Sequence, residues 1–218
     1  MLGGESVEGL WLRAERQSGG IGRLGRKWES PEGNLYCSTI VKIRDADPYP
    51  SSLSFVASLA VHDSIQVCVP EGHLMLKWPN DVLLNEAKVC GILLEQVEKS
   101  VVVGVGINVA VAPKVEGRET TSLYDAGAIT ALTAADFLDL LSKNFAERLK
   151  QWRISGPQSI LNDWQERAHP IGASLSASID KDNRIQGAFA GLTDNGALRL
   201  KKPDGSLVEI HAGDVEPA

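Results

Sequence analysis

The sequence predicts an α/β (α+β) fold: a sheet flanked by helices, with a smaller all-β unit after it. Three patterns carry this. Leu35, Cys37, Thr39, Val41 and Ile43 alternate with their neighbours, the period of a half-buried strand. Val56, Leu59, Ala60 and Ile65, and later Phe137, Leu141, Phe145, Leu149 and Trp152, recur at helical spacing. After Pro170 the texture changes to short apolar runs separated by Asn-Gly and Asp-Gly turns.

In chain order, Leu10 to Ala14 reads as a short strand that leads into a glycine-rich loop. Ser30 to Asn34 is a turn before the Leu35–Ile43 strand, and Asp45 to Ser52, with two prolines, is a loop. A helix is expected from Leu53 to Val67. His73 to Trp78 reads as a strand stopped by Pro79, with a further short strand at Val82–Leu84 and a turn at Asn85–Ala87. Val89–Val97 and Ser100–Ile107 read as two strands joined at Glu98-Lys99. Thr133, with Asp136 three residues on, is suited to cap the next helix. A second helix is expected over Gln158–Ala168, with Pro157 near its start. Runs at Ser174–Ile179, Arg184–Ala190, Ala197–Leu200 and Leu207–Ile210, with a turn at Lys181-Asp182-Asn183 among others, make up the all-β unit. The expected domains are residues 1–170 and 171–218.

The chain has 218 residues, 43% of them hydrophobic, enough for one substantial core and a small second one. A net charge of -6 argues against a broad nucleic-acid surface. No segment reaches the roughly 18 consecutive apolar residues of a membrane span, and Met1 to Glu5 lack the basic start of a signal peptide. Cys37, Cys68 and Cys90 form no close pair, which fits a reducing, cytoplasmic setting.

Against that acidic background, Gly19-Gly20-Ile21-Gly22-Arg23-Leu24-Gly25-Arg26-Lys27-Trp28 is basic. Four glycines fall in seven residues, and Arg16 to Trp28 holds four basic side chains and no acid. Glycines let backbone N–H groups approach an anion, and arginine forks pair with phosphate or carboxylate. A solvated surface turn is the alternative. No Gly-Lys-Ser or Gly-Lys-Thr follows, so this is not a Walker loop. Trp28 is read as core, or as a platform for a flat ring. Asn80-Asp81 sits where Pro79 stops a strand. It is placed either to hold magnesium or orient a cation, or only to make a side-chain-stabilised turn. Lys88, in a polar turn before Val89–Leu94, is either a solvated lysine or a stabiliser of transition-state charge. Gly104 and Gly106 allow close approach of a ligand at the end of a strand, and Asn108 offers it hydrogen bonds.

In combination these stretches resemble the biotin protein ligases of bacteria. The likeness rests on Glu15–Trp28, Ser30–Tyr36, Lys77-Trp78-Pro79-Asn80-Asp81, Lys88–Leu93, Gly104–Asn108, Ala190–Leu198 and Ala212-Gly213-Asp214-Val215. The resemblance implies a class II aminoacyl-tRNA synthetase-like mixed sheet flanked by helices, with a small SH3-like β-barrel at the C-terminus. It implies a short form without the DNA-binding domain, and ATP-dependent biotinylation of a lysine on a biotin carboxyl carrier protein through biotinyl-5′-AMP. The substrates would be ATP and biotin, with Mg2+ accompanying ATP. No DNA or membrane partner is implied, and a homodimer would fit the family. Lys88 and Arg23 would be catalytic. Gln17, Gly20, Ile21, Gly22, Arg23, Arg26, Trp28, Lys88, Gly104, Gly106 and Asn108 would bind biotin and the adenylate. Asn80 and Asp81 would face ATP-magnesium. A lipoate or octanoate ligase or transferase, and a non-catalytic carrier-binding remnant, are the other readings. Two departures stand out: an Asp-Ser-Thr-Asn segment that usually precedes the loop is absent from this sequence, and Ile21 replaces a common arginine.

Overall fold

The computed structural model describes residues 7–128, 132–179 and 183–218. Met1 to Glu5, and Lys181 and Asp182 of the expected turn, lie outside them. Six strands form the first sheet: β1 (Trp11–Ala14), β2 (Leu35–Lys42), β3 (Leu74–Lys77), β4 (Asp81–Leu84), β5 (Ala87–Val97) and β6 (Ser100–Ile107). Their spatial order is β1-β2-β6-β5-β4-β3. These neighbours pair antiparallel, and parallel pairing enters through two isolated bridges, Leu76 with Ala168 and Lys88 with Thr120.

Two helices, α1 (Leu53–Cys68) and α2 (Ala134–Gln165), flank this sheet and pack on each other. The expected cap of α2 is present as a capping box, with Thr133 Oγ1 accepting from the Asp136 amide at 3.1 Å and Asp136 Oδ2 accepting from the Thr133 amide at 3.0 Å. The two helices expected between Thr133 and Ala168 form one element broken at Gly156, whose φ of 77° no helix holds. Pro157 then restarts the helix without needing an N–H. Buried indoles fasten α2 to α1 and its N-terminal turn: Trp152 donates to Ser52 at 2.7 Å and Trp164 to Ser58 at 3.1 Å.

The second sheet contains β7 (Ser174–Ser178), β8 (Arg184–Leu192), β9 (Leu198–Lys201), β10 (Leu207–Ile210) and β11 (Asp214–Pro217), in the order β10-β9-β8-β7-β11. The all-β character is as expected, but the expected barrel is not. The sheet is open, because β10 pairs with β9 and β11 with β7, and no ladder joins β10 to β11. The cause is local. Gly213, at φ 143°, passes so close to Ser178 that a Cβ there would lie 2.4 Å from the Ser178 carbonyl oxygen. That approach sets Asp214 opposite Ser178 and sends β11 along β7. The strand β11 has no counterpart among the sequence expectations, since Asp214-Val215-Glu216-Pro217 carries only one strongly apolar side chain.

One continuous hydrophobic core joins both sheets and both helices. The 193–196 turn seats the second sheet: Trp78 donates to the Gly196 carbonyl at 3.0 Å, and Phe55 lies against Gly196 where a Cβ would come within 2.6 Å. Among the described residues, no helix is long and apolar enough to cross a membrane.

Candidate active site

A cavity of about 470 Å³ opens between the first sheet, the glycine–arginine loop, the 108–121 segment and β11. Gln17, Ile21, Gly22, Arg23, Arg26, Trp28, Asn80, Asp81, Lys88, Gly104, Gly106 and Asn108 all line it. Of the expected site residues, only Gly20 sits behind the lining, packed against the Trp28 carbonyl, Gln17 and Ser30.

The loop is an ordered hairpin. The Trp28 amide donates to Gly20 at 2.9 Å, the Gly22 amide to Arg26 at 2.7 Å, and Ile21 bridges Lys27. Leu24 and Gly25 turn the tip with positive φ. Ile21 points to solvent, 56% exposed. Trp28 comes back over the sheet and lies on two cross-strand glycines, Gly91 and Gly106. A Cβ on Gly106 would be 2.7 Å from the indole, and one on Gly91 2.9 Å. The glycines are therefore a seat for the ring, and Gly91, which sequence reasoning did not single out as a site residue, shares that work. The signal was its place in the apolar run beside Lys88.

Lys88 is not in a polar turn; it belongs to β5 and is 8% exposed. A bulge explains how a lysine on a central strand reaches a cavity. Val82 pairs Cys90 and Leu83 pairs Lys88, so Val89 is the extra residue. An extra residue inverts the alternation, which re-aims the side chain before it. Lys88 thus shares a face with Gly91, where a Cβ would lie 3.3 Å from Nζ. Its Nζ donates to Asp81 Oδ1 at 2.5 Å and lies 5.4 Å from the Trp28 ring centroid, a cation–π contact. Asp81, also 8% exposed, has its second oxygen 3.7 Å from Arg118.

The loop arginines meet the C-terminal edge. Arg26 grips Asp214 at 2.7 and 3.0 Å, and Arg23 reaches the Gly213 carbonyl at 3.2 Å, Asn80 Oδ1 at 3.4 Å and Asp214 at 3.7 Å. Burial pushes the Asp214 carboxyl pKa up, but the hydrogen bond from Arg26 and the charges of Arg26, Arg23 and Arg118 outweigh it and hold the group below its ordinary range. The hydrogen bond to Asp214 raises Arg26, whereas burial lowers Arg23 despite Asp214 and Asp81. Asp214 and Arg118, like Gly91, are site residues that sequence reasoning did not single out.

Asn108 is 2% exposed; its Nδ2 donates to the Thr121 carbonyl at 3.0 Å, while Oδ1 is buried without a partner. Gln17 Oε1 accepts from Ser30 at 3.1 Å. Cys37, which lines the cavity, has its thiol pushed up to about 12 by burial, which disfavours the thiolate.

Asn80 and Asp81, expected to face ATP-magnesium, line the cavity and already have protein partners. Asp81 is committed to Lys88 and Arg118, Asn80 Nδ2 donates to the Ile92 carbonyl, and the described residues hold no group of three or more His, Cys, Asp or Glu suited to a metal.

Comparison with known proteins identifies the family. Residues 6–111 match the Biotin/lipoate A/B protein ligase family, and residues 179–216 the Biotin protein ligase C terminal domain. The biotin–[acetyl-CoA-carboxylase] ligase of Paracoccus denitrificans is 38% identical over 215 residues, covering 94% of this chain and 89% of its own. The corresponding ligase of Mycobacterium tuberculosis is 35% identical, covering 97% and 80%. The solved biotin protein ligase from Aquifex aeolicus, in complex with biotin and ATP, superposes with a TM-score of 0.84 at 29% identity, covering 99% of this chain and 92% of that one. At 38% and 35% identity to these two ligases over nearly its whole length, this chain belongs to the biotin protein ligase family.

Proposed function

We propose that this chain joins biotin to a lysine of a carrier protein in two ATP-dependent steps. A carboxylate oxygen of biotin attacks the α-phosphorus of ATP; the bond to pyrophosphate breaks, and biotinyl-5′-AMP forms. The ε-amine of the carrier lysine then attacks the acyl carbon, loses a proton, and AMP departs. A biotin carboxyl carrier protein is the acceptor that the family relationship favours. The observation that carries the reading is the convergence of Arg23 and Trp28, from the glycine–arginine loop, with Lys88, from β5, on one cavity.

Both steps concentrate negative charge on phosphate and carboxylate oxygens. Lys88 is the cation proposed to stabilise it, since a preorganised charge in a water-poor site costs no rearrangement at the moment of reaction. Arg23 would close on the phosphate, with Ile21 and Gly22 lining the same loop, and Gln17 would meet the biotin head group. Trp28 and Asn108 take the adenine side: the ring offers a stacking face, and the unpartnered Oδ1 offers an acceptor for an amino group. Loop closure would shield the mixed anhydride from water. Magnesium would be carried on the phosphate oxygens of ATP, with no protein ligand assigned.

The test is biotin-dependent ATP–pyrophosphate exchange, followed by transfer of labelled biotin to a carrier domain. Exchange and transfer with biotin are expected. Exchange with lipoate alone would overturn the substrate, and carrier binding without any exchange would point to a non-catalytic remnant.

A further inference from the structure

Arg118 has no part in the roles above, yet its surroundings are unlike those of a structural arginine. Arg148 and Arg153, which tie elements together, each make side-chain hydrogen bonds of 2.6 to 2.9 Å to carboxylates or amides. Arg118 lines the active-site cavity with its side chain only 27% exposed, and its one ionic partner, Asp81, stands at 3.7 Å. Among the described residues its guanidinium donates no hydrogen bond. A planar fork with five donors is thus presented to a cavity and left unused.

The backbone beneath it is fixed. The Lys88 amide donates to the Glu119 carbonyl at 3.0 Å, the Thr121 amide to the Lys88 carbonyl at 3.0 Å, and Thr120 Oγ1 to the Pro113 carbonyl at 2.6 Å. Arg118 and Lys88 are therefore registered on each other, one cation to each oxygen of Asp81. Arg118 also contributes to holding down the Asp214 carboxyl. The ion-paired centre then has four cations, Arg23, Arg26, Lys88 and Arg118, around two carboxylates, Asp81 and Asp214. Glu29, Glu95, Glu116 and Glu216 also line the cavity without ion pairs to this group, and the Arg118 fork, whose donors make no hydrogen bond among the described residues, stands beside Lys88 where a polyanion would be received.

We propose that Arg118 binds phosphate in this site, engaging the triphosphate of ATP and the pyrophosphate it releases; the inference rests on the adenylation reading above. The contact spares Lys88 for the reacting carboxylate and α-phosphate, since Arg118 takes charge that lies further along the chain of phosphates. No bond is made or broken by Arg118 itself.

Three proteins decide it: the unaltered chain, Arg118→Gln and Arg118→Lys. In exchange assays Arg118→Gln is expected to raise the KM for ATP and for pyrophosphate about tenfold, the loss of one charge-assisted contact, with the KM for biotin within about twofold. Arg118→Lys should recover part of the loss. Transfer from preformed biotinyl-AMP to a carrier, a step without pyrophosphate, should be unchanged. Unaltered ATP and pyrophosphate constants, or a parallel rise for biotin and ATP, would overturn the assignment. If Arg118→Gln does not fold, Arg118→Lys is decisive on the same split of constants. Absence of exchange by the unaltered chain would instead strike down the adenylation reading, which keeps the two failures apart.

Discussion

The two walls that present positive charge to the cavity are built differently. On one, Lys88 comes from a central strand, is 8% exposed, and is aimed by a bulge. On the other, Arg23 and Arg26 come from a hairpin loop whose side chains are 21% and 45% exposed and whose anchor is the edge strand β11. The first wall is held by backbone ladders on both sides, and the second by ion pairs that solvent and salt can weaken. A charge that must act on a reacting centre gains from the rigid wall. A charge that must admit a ligand and then cover it suits the loosely tied one.

Substitutions on each wall should therefore differ in size. Lys88→Ala is expected to lower biotin-dependent ATP–pyrophosphate exchange by roughly two orders of magnitude or more, the usual scale for a preorganised charge. Circular dichroism should show the fold retained, and full exchange by a folded variant would remove Lys88 from its role. Next comes the seat shared by the walls. Gly106→Ala sets a methyl 2.7 Å from the Trp28 ring, whereas at Gly104 the nearest atom is 3.5 Å away. The first should cost about 1–3 kcal/mol of stability by overpacking and weaken adenylate binding, and the second should be close to neutral. Equal thermal midpoints for the two variants would contradict the seating of Trp28 on glycine.

The smallest effect is expected at the latch. Asp214→Asn should change stability by less than about 1 kcal/mol, because the pair is partly exposed, yet release biotinyl-AMP a few-fold faster in a retention assay. The pH dependence has a definite sign. The folded Asp214 carboxyl lies below its ordinary value near 3.8, so its ion pairs stabilise the fold above that value and lose their contribution as pH falls through the lowered one. The difference in melting temperature between the unaltered protein and Asp214→Asn should therefore shrink in that acid window. A difference independent of pH would show that the charge of Asp214 is not what ties the loop.

The same contrast explains what the sequence disclosed. The alternation from Leu35 to Ile43, the helical spacing from Phe137 to Trp152 and the Thr133–Asp136 cap are local, and each appears where its pattern predicts. The glycine–arginine loop and Lys88 were legible as charge beside glycine, although the exposure of Lys88 was not, since the bulge that buries it depends on pairing with β4. Arg118 lies in a stretch with no period, and Asp214 in a strand with one buried apolar residue, so neither announced itself. The closed barrel failed for a related reason: the choice of partner for β11 is made by the close passage of Gly213 under Ser178, a contact that no spacing encodes.

The tie between Arg23 and the Gly213 carbonyl spans 190 residues. During synthesis at about 5–20 residues per second, the loop is made about 10–40 s before its anchor exists. In that interval the loop has nothing at the C-terminal edge to fasten to. The tie that fastens the loop therefore comes into being only when translation has passed Gly213.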